Sequence, residues 1–183
     1  MLNGKKVLLI ITGGIAAYKS LELVRKLKEK GADVIPVMTK AAENFVTPMS
    51  VSALAQEKVF NKLFDLTDEA EMGHIELSRS SDLIIVAPAS ADFIAKTAAG
   101  QANDLASTLI LATDTKVLMA PAMNVRMWEN TLTQKNIKIL QNNGVKFVGP
   151  NEGEMACGEF GFGRMAVAGE ILKEIEVCLR DKK

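Results

Sequence analysis

An excess charge of either sign is missing from this 183-residue sequence: 22 Lys and Arg side chains face 22 Asp and Glu, for a formal net charge of zero. A chain so balanced offers no electrostatic footprint to nucleic acid or to an anionic membrane surface, and neither is expected as a partner. Long apolar runs are also absent. The longest, Val7 to Ile11 and Leu83 to Ala87, fall far short of the roughly 20 residues needed to span a bilayer, and the N-terminus lacks the apolar stretch of a signal peptide. A cytoplasmic protein is therefore expected. Cysteine is scarce, with Cys157 and Cys178 in unlike settings, and a cytosolic chain of this size needs no disulfide, so each thiol is judged alone. No metal site is expected. Nothing reads as a linker, a repeat or a low-complexity tract, and the length suits one domain over 1–183.

What is present is a regular alternation of two periodicities. Lys5 to Thr12 carries a charged lead-in and then a continuous Val/Leu/Ile run, the pattern of a strand buried on both faces of a parallel sheet. It ends at Gly13-Gly14, and Ile15 to Lys30 follows with apolar residues at helical spacing up to Gly31, a natural C-terminal stop. Further strands are predicted at Asp33 to Met38, Leu83 to Ala87, Lys116 to Met119 and Val145 to Val148. Helices are predicted over Thr39 to Gln56 with a break at Pro48, from His74, around Ala91 to Ala99, and over Asp104 to Ala112, Thr131 to Asn143 and Ala166 to Arg180. From Lys58 to Gly73 the pattern is weak. Strands alternating with helices predict an α/β fold: a doubly wound, Rossmann-like or flavodoxin-like parallel sheet with helices on both faces and ligands beyond the carboxyl ends of the strands.

The chemistry-bearing segments fall at those ends. Gly13 and Gly14 stand between strand and helix, where backbone N–H groups can hold a phosphate; lacking the third glycine of a dinucleotide turn, they suit a mononucleotide, though a tight βα turn would explain them too. His74, the single histidine, precedes the central strand and has a side chain suited to proton transfer near neutrality, although a lone histidine at a helix start more often packs or caps. After that strand, Pro88-Ala89-Ser90-Ala91-Asp92-Phe93 combines small residues that let a flat ring approach with Ser90 and Asp92 as hydrogen-bonding groups, or simply caps a helix. Pro121-Ala122-Met123-Asn124-Val125-Arg126-Met127-Trp128 places an amide beyond another strand, able to donate to a carboxylate, among Met and Trp that can also fill a core or subunit interface. Ala156-Cys157-Gly158-Glu159-Phe160-Gly161-Phe162-Gly163-Arg164-Met165 reads as a mobile flap with glycine hinges and one thiol, while Cys178, between Val177 and Leu179, reads as structural.

Taken together, the order and spacing of Gly13-Gly14, His74, Pro121 to Trp128 and Ala156 to Met165 resemble the flavin-dependent cysteine decarboxylases over nearly the whole chain. Within them the resemblance is specifically to the branch that acts on 4'-phospho-N-pantothenoylcysteine in coenzyme A biosynthesis, alone or as the N-terminal half of a bifunctional protein. The resemblance implies FMN as cofactor, held by Gly13, Gly14, Thr39, Ser90, Ala91, Asp92, Phe93 and Ala122. Asp92-Phe93 stands where other members carry Asn-Thr, so there the backbone is the expected contact. It implies His74 and Cys157 as catalytic base and proton donor, with Asn124, Ala156 and Met165 binding the substrate. It implies a homotrimer or dodecamer with the site between subunits, and a phosphopantothenate-cysteine ligase domain as a partner; Lys182-Lys183 fits either a natural end or the junction to that domain. Peptidyl-cysteine decarboxylases that stop at an enethiol share the fold and the Asn124 motif but lack the cysteine that Cys157 matches. A regulatory flavoprotein would have no chemical need for His74, Asn124 and Cys157 together.

Overall fold

The structure is a computed structural model that describes residues 2–63 and 73–180. Strand β1 (Lys6–Ile11) pairs in parallel with β2 (Asp33–Met38) on one side and β3 (Leu83–Ala89) on the other; β4 (Val117–Pro121) and β5 (Lys146–Phe147) extend the sheet beyond β3. The resulting order is β2-β1-β3-β4-β5.

Successive side chains of a strand point to opposite faces, and both faces of this sheet are covered. Val7, Leu9 and Ile11 meet one core together with Leu23, Val24 and Leu27 of α1 (Lys19–Glu29) and Ile171, Ile175 and Cys178 of α8 (Ala168–Arg180). Leu8 and Ile10 meet the other, with Phe93 and Ile94 of α4 (Ala91–Ala98), Leu109 of α5 (Leu105–Ala112) and Ile137 of α7 (Thr131–Asn142). This two-sided burial is why β1 has no polar alternation. Short helices α2 (Pro48–Ala55), α3 (His74–Arg79) and α6 (Val125–Glu129) complete the helical layers.

The remaining helices start where local chemistry allows. Thr47 is extended and accepts from Ser50 N, with Pro48 in the first turn, so the predicted break at Pro48 is an N-cap. Between β2 and α2 only a 3₁₀ turn, Ala42–Asn44, forms, with the Ala42 N–H shared between Thr39 O at 2.9 Å and Thr39 Oγ1 at 3.3 Å. Another, Ile15–Tyr18, occupies the start of the helix predicted from Ile15.

One element adds strands that the periodicity does not predict. Asn151–Glu154 (β6) and Phe160–Arg164 (β7) form an antiparallel hairpin where the sequence suggests a mobile flap. Its glycines serve close approach: a Cβ on Gly163 would stand 2.2 Å from the Met123 carbonyl oxygen, and the backbone there has φ +151°. Met123 N donates to Gly163 O at 3.0 Å, which fastens the hairpin to the exit of β4.

Candidate active site

The chain leaves β1 toward the β2 edge and leaves β3 toward the β4 edge, so a crevice opens where the winding reverses. Thr12 lines it, and Ser20 braces the end of β3. The buried Thr12 hydroxyl donates to Pro88 O at 2.6 Å and accepts from Ser90 N at 3.0 Å, while Ser20 Oγ donates to Ala87 O at 2.7 Å. Those bonds satisfy backbone groups at the end of β3, where its register with β4 shifts between Val86 and Ala89.

The two glycines divide the tasks assigned to them jointly by the sequence. A Cβ on Gly13 would press to 2.6 Å from Ala41 Cβ, so Gly13 lets the β1 exit touch the loop after β2. Gly14 has φ 153° and ψ 157°, a conformation essentially reserved for glycine, and a Cβ there would meet no protein atom within 4 Å. Beside it Thr39 N donates to Ile11 O at 3.1 Å. Ser90 accepts from Phe93 N at 3.2 Å as the N-cap of α4, and Asp92 pairs with Lys96 at 3.2 Å on the same helix. Thus the capping role and the site role of Ser90 coexist, and the side chain of Phe93 belongs to the core while its residue borders the cavity.

The hairpin and the segment after β4 form the opposite wall. Asn124 caps α6, its Oδ1 accepting from Arg126 N at 2.8 Å, and this leaves the amide nitrogen to face the hairpin tip. There Nδ2 donates to Glu159 Oε2 and lies 3.4 Å from Cys157 Sγ. Cys157 donates to Glu159 Oε2 at 3.6 Å, and Glu159 Oε1 accepts from Arg126 Nε at 2.9 Å. Arg126 first, then Asn124, hold the Glu159 carboxyl below the usual carboxylate range, so it is anionic at neutral pH. Cys178, by contrast, is buried in α8, and the two thiols are not joined.

Together these walls enclose about 1060 Å³. Gly13, Gly14, Thr39, Ala122, Ala156 and Met165 all line it, as do Ser90 to Phe93, Asn124 and Cys157. Lys19 and Arg164 line it as well; burial, and then the Arg164 guanidinium, lower the Lys19 pKa, with Glu22 opposing. His74 opens α3, and its side chain lies outside the described residues. Among the described residues no group of His, Cys, Asp and Glu suits a metal ion, and no helix is long and apolar enough to cross a membrane.

Thr12, Arg126 and Glu159 carry no role in the sequence reading. Each lies inside a motif it singles out, but their partners are 76, 35 and 33 residues away in sequence for the Thr12–Pro88, Asn124–Glu159 and Arg126–Glu159 bonds, beyond any local spacing rule.

A doubly wound sheet with a glycine turn at its switch point, and a hairpin bringing an amide and a thiol to the cavity, defines an α/β protein with a ligand-sized crevice beyond the carboxyl ends of its strands. The chain belongs to the Flavoprotein family, whose model matches residues 1–179. It is 54% identical over 164 residues to the coenzyme A biosynthesis bifunctional protein CoaBC of Vibrio vulnificus, covering 90% of this chain and 41% of that one. The chain thus spans less than half the length of that relative. Among solved structures, a Cys-to-Ser mutant of PPC decarboxylase complexed with pantothenoylaminoethenethiol is similar at 30% identity and a TM-score of 0.84, over 97% of this chain and 99% of that one. The FMN binding protein AtHal3 is similar at 29% identity and a TM-score of 0.85, over 98% of each chain.

Proposed function

We propose that this chain, loaded with FMN, decarboxylates 4'-phospho-N-pantothenoylcysteine to 4'-phosphopantetheine in coenzyme A biosynthesis. The observation that carries this reading is the meeting of Asn124 and Cys157 at the cavity, Nδ2 3.4 Å from Sγ. It is supported by the PPC decarboxylase relative, whose Cys-to-Ser mutant holds pantothenoylaminoethenethiol: a compound that, by its name, has lost the cysteine carboxylate and is still oxidised.

The residues fit FMN. The cavity is large enough for a flat ring beside an acyl cysteine, Ala91 and Ala122 keep its walls low, and Gly14 leaves space that any Cβ would enter. Gly13, Gly14, Thr39, Ser90, Ala91, Asp92, Phe93 and Ala122 would hold the cofactor, and an anionic phosphate would relieve the mutual repulsion of Lys19 and Arg164. Bound FMN supplies a two-electron acceptor for the substrate CH2–SH group and afterwards returns the electrons.

The chain's own residues do the rest. His74 takes a proton as the carbon bearing sulfur is oxidised. Asn124 donates to the substrate carboxylate and orients it so that, once a C=S bond lies beta to it, the electrons released with CO2 settle on sulfur. Ala156 and Met165 bound the substrate, and Cys157 delivers a proton to carbon as the enethiol is reduced. A Cys157→Ser variant is expected to release CO2 yet accumulate the oxidised enethiol, read by mass spectrometry; normal yield of reduced product would remove Cys157 from this role.

We read residues 1–183 as one decarboxylase domain working in the cytoplasm as a homotrimer or dodecamer, with the site between subunits. Ile15, Tyr18 and Phe45, which border the cavity, are 64%, 58% and 47% exposed and supply an apolar rim for a second copy. The bifunctional relatives point to a phosphopantothenate-cysteine ligase, on the same chain or apart from it, as the source of substrate. The deciding experiment is the visible spectrum of the purified protein, followed by product analysis with phosphopantothenoylcysteine. Yellow protein releasing CO2 and phosphopantetheine is expected. Arrest at the enethiol would favour a peptidyl-cysteine type of activity, and retained flavin without turnover a regulatory protein.

A further inference from the structure

We propose that Glu159 is a built-in surrogate for the substrate carboxylate: it holds Asn124 until the substrate acid displaces it and takes Asn124 back when CO2 leaves. This rests on the decarboxylase reading above, in which the substrate carboxylate is bound by the Asn124 amide.

The geometry leaves Asn124 one working end. Its Oδ1 accepts from Arg126 N at 2.8 Å, and only Nδ2, the donor end, can receive an acid. Nδ2 already donates to a carboxylate oxygen, Glu159 Oε2, and lies 3.4 Å from Cys157 Sγ, which is itself 3.6 Å from that oxygen. An amide nitrogen has two N–H donors, and two anions on it would stand side by side in direct repulsion. The substrate acid therefore exchanges with Glu159 rather than adding to it. Glu159 has somewhere to remain, because Arg126 Nε holds its other oxygen at 2.9 Å.

The exchange also times the thiol. Cys157 donates to the same Glu159 oxygen at 3.6 Å and lies two residues before it on the hairpin tip, so the positions of thiol and carboxylate are linked. While the substrate acid occupies Asn124, the pair is displaced. When that carboxylate departs as CO2, the amide loses its anion, Glu159 returns, and Cys157 comes back with it toward the carbon that needs a proton. Glu159 is thus a positioning residue that discriminates the acid from its decarboxylated successor at one amide.

The test uses the FMN-loaded protein, wild type and Glu159→Gln, and two redox-inert probes. In both the thiol is replaced by hydroxyl: 4'-phospho-N-pantothenoylserine, which keeps the carboxylate, and its counterpart without the carboxylate. A hydrogen bond to a charged acceptor is stronger than one to a neutral acceptor, so removing the charge should tighten the acid by about fivefold and leave the other probe within about twofold. With phosphopantothenoylcysteine, KM and kcat should both fall, the second because Cys157 is no longer drawn back. A clamp that had merely loosened would raise KM.

Equal effects on both probes, weaker binding of the acid, or a preference that vanishes between about 0.15 M and about 1 M salt, as a through-space charge effect would, overturns the exchange. Wild-type protein that retains flavin but releases no CO2 overturns the decarboxylase reading itself. Release of CO2 together with an unchanged probe ratio overturns only the role of Glu159.

Discussion

At the scale of single residues, the site depends on polar atoms with two partners each. Thr12 is the clearest case, since its buried hydroxyl both donates to Pro88 O and accepts from Ser90 N. Thr12→Val keeps the shape but leaves a buried carbonyl and N–H without that partner, a cost of about 1–3 kcal/mol each before any rearrangement. We expect urea denaturation to show a loss of that order, with weaker flavin retention by absorbance and recovery of both in Thr12→Ser. Asn124 has a similar double use, as the cap of α6 through oxygen and as ligand for Glu159 through nitrogen. The sequence identifies Asn124 and Cys157 as residues of interest, because an amide and a lone thiol stand out among small and apolar neighbours. It does not pair them with Glu159, since carboxylates are common on surfaces and only the hairpin brings this one to the amide.

At the scale of elements, the hairpin β6–β7 is the part that local pattern does not predict. Its second strand, Phe160–Arg164, leaves Phe160 70% and Phe162 49% exposed, so no core-facing alternation marks it as a strand. Glycine alternates there for a tertiary reason, the nearness of the β4 exit. Gly163→Ala would drive a methyl into Met123 O, whereas at Gly158, with φ +82°, a Cβ meets nothing within 4 Å. Gly163→Ala is therefore expected to abolish turnover and undock the hairpin. Gly158→Ala should cost only the backbone strain of about 1–2 kcal/mol. Thermal denaturation beside product assays separates the two; equal losses from both would mean that the hairpin acts as a flexible loop after all. Most helix starts, in contrast, are legible, because their caps are local. Ser90, Asn130 and the reciprocal Asp104–Ser107 box each sit at a helix start and engage the first turn.

For the whole molecule, two predictions concern how distant parts are tied. Asp82 joins the starts of β1 and β3, accepting from Lys5 Nζ at 2.8 Å and Lys6 N at 2.9 Å. Burial acts to raise its pKa, but those bonds and the two lysine charges leave it lowered. A depressed folded-state pKa stabilises the protein above the unfolded value, and that contribution is lost as the pH falls through the folded value. Asp82→Asn should thus be less stable than wild type by about 0.5 kcal/mol at neutral pH, given its exposure, with the difference closing in acid. Denaturation midpoints across pH would show it, and a gap that widened in acid would refute the linkage. If the cavity rim seats a second copy, Tyr18→Arg should reduce the sedimenting mass and flavin retention together; a monomeric wild type would remove the interface reading.

The sequence by itself determined the five-stranded parallel sheet and the residues at its strand ends, because burial on two faces forces continuous apolar runs and glycine turns leave local marks. The tertiary structure alone decided the convergence of Thr12 with the β3 exit and of Asn124 with Cys157, Glu159 and Arg126. Such contacts join segments distant in sequence, and their geometry comes from strand order and the docking of a hairpin, neither of which any local periodicity encodes.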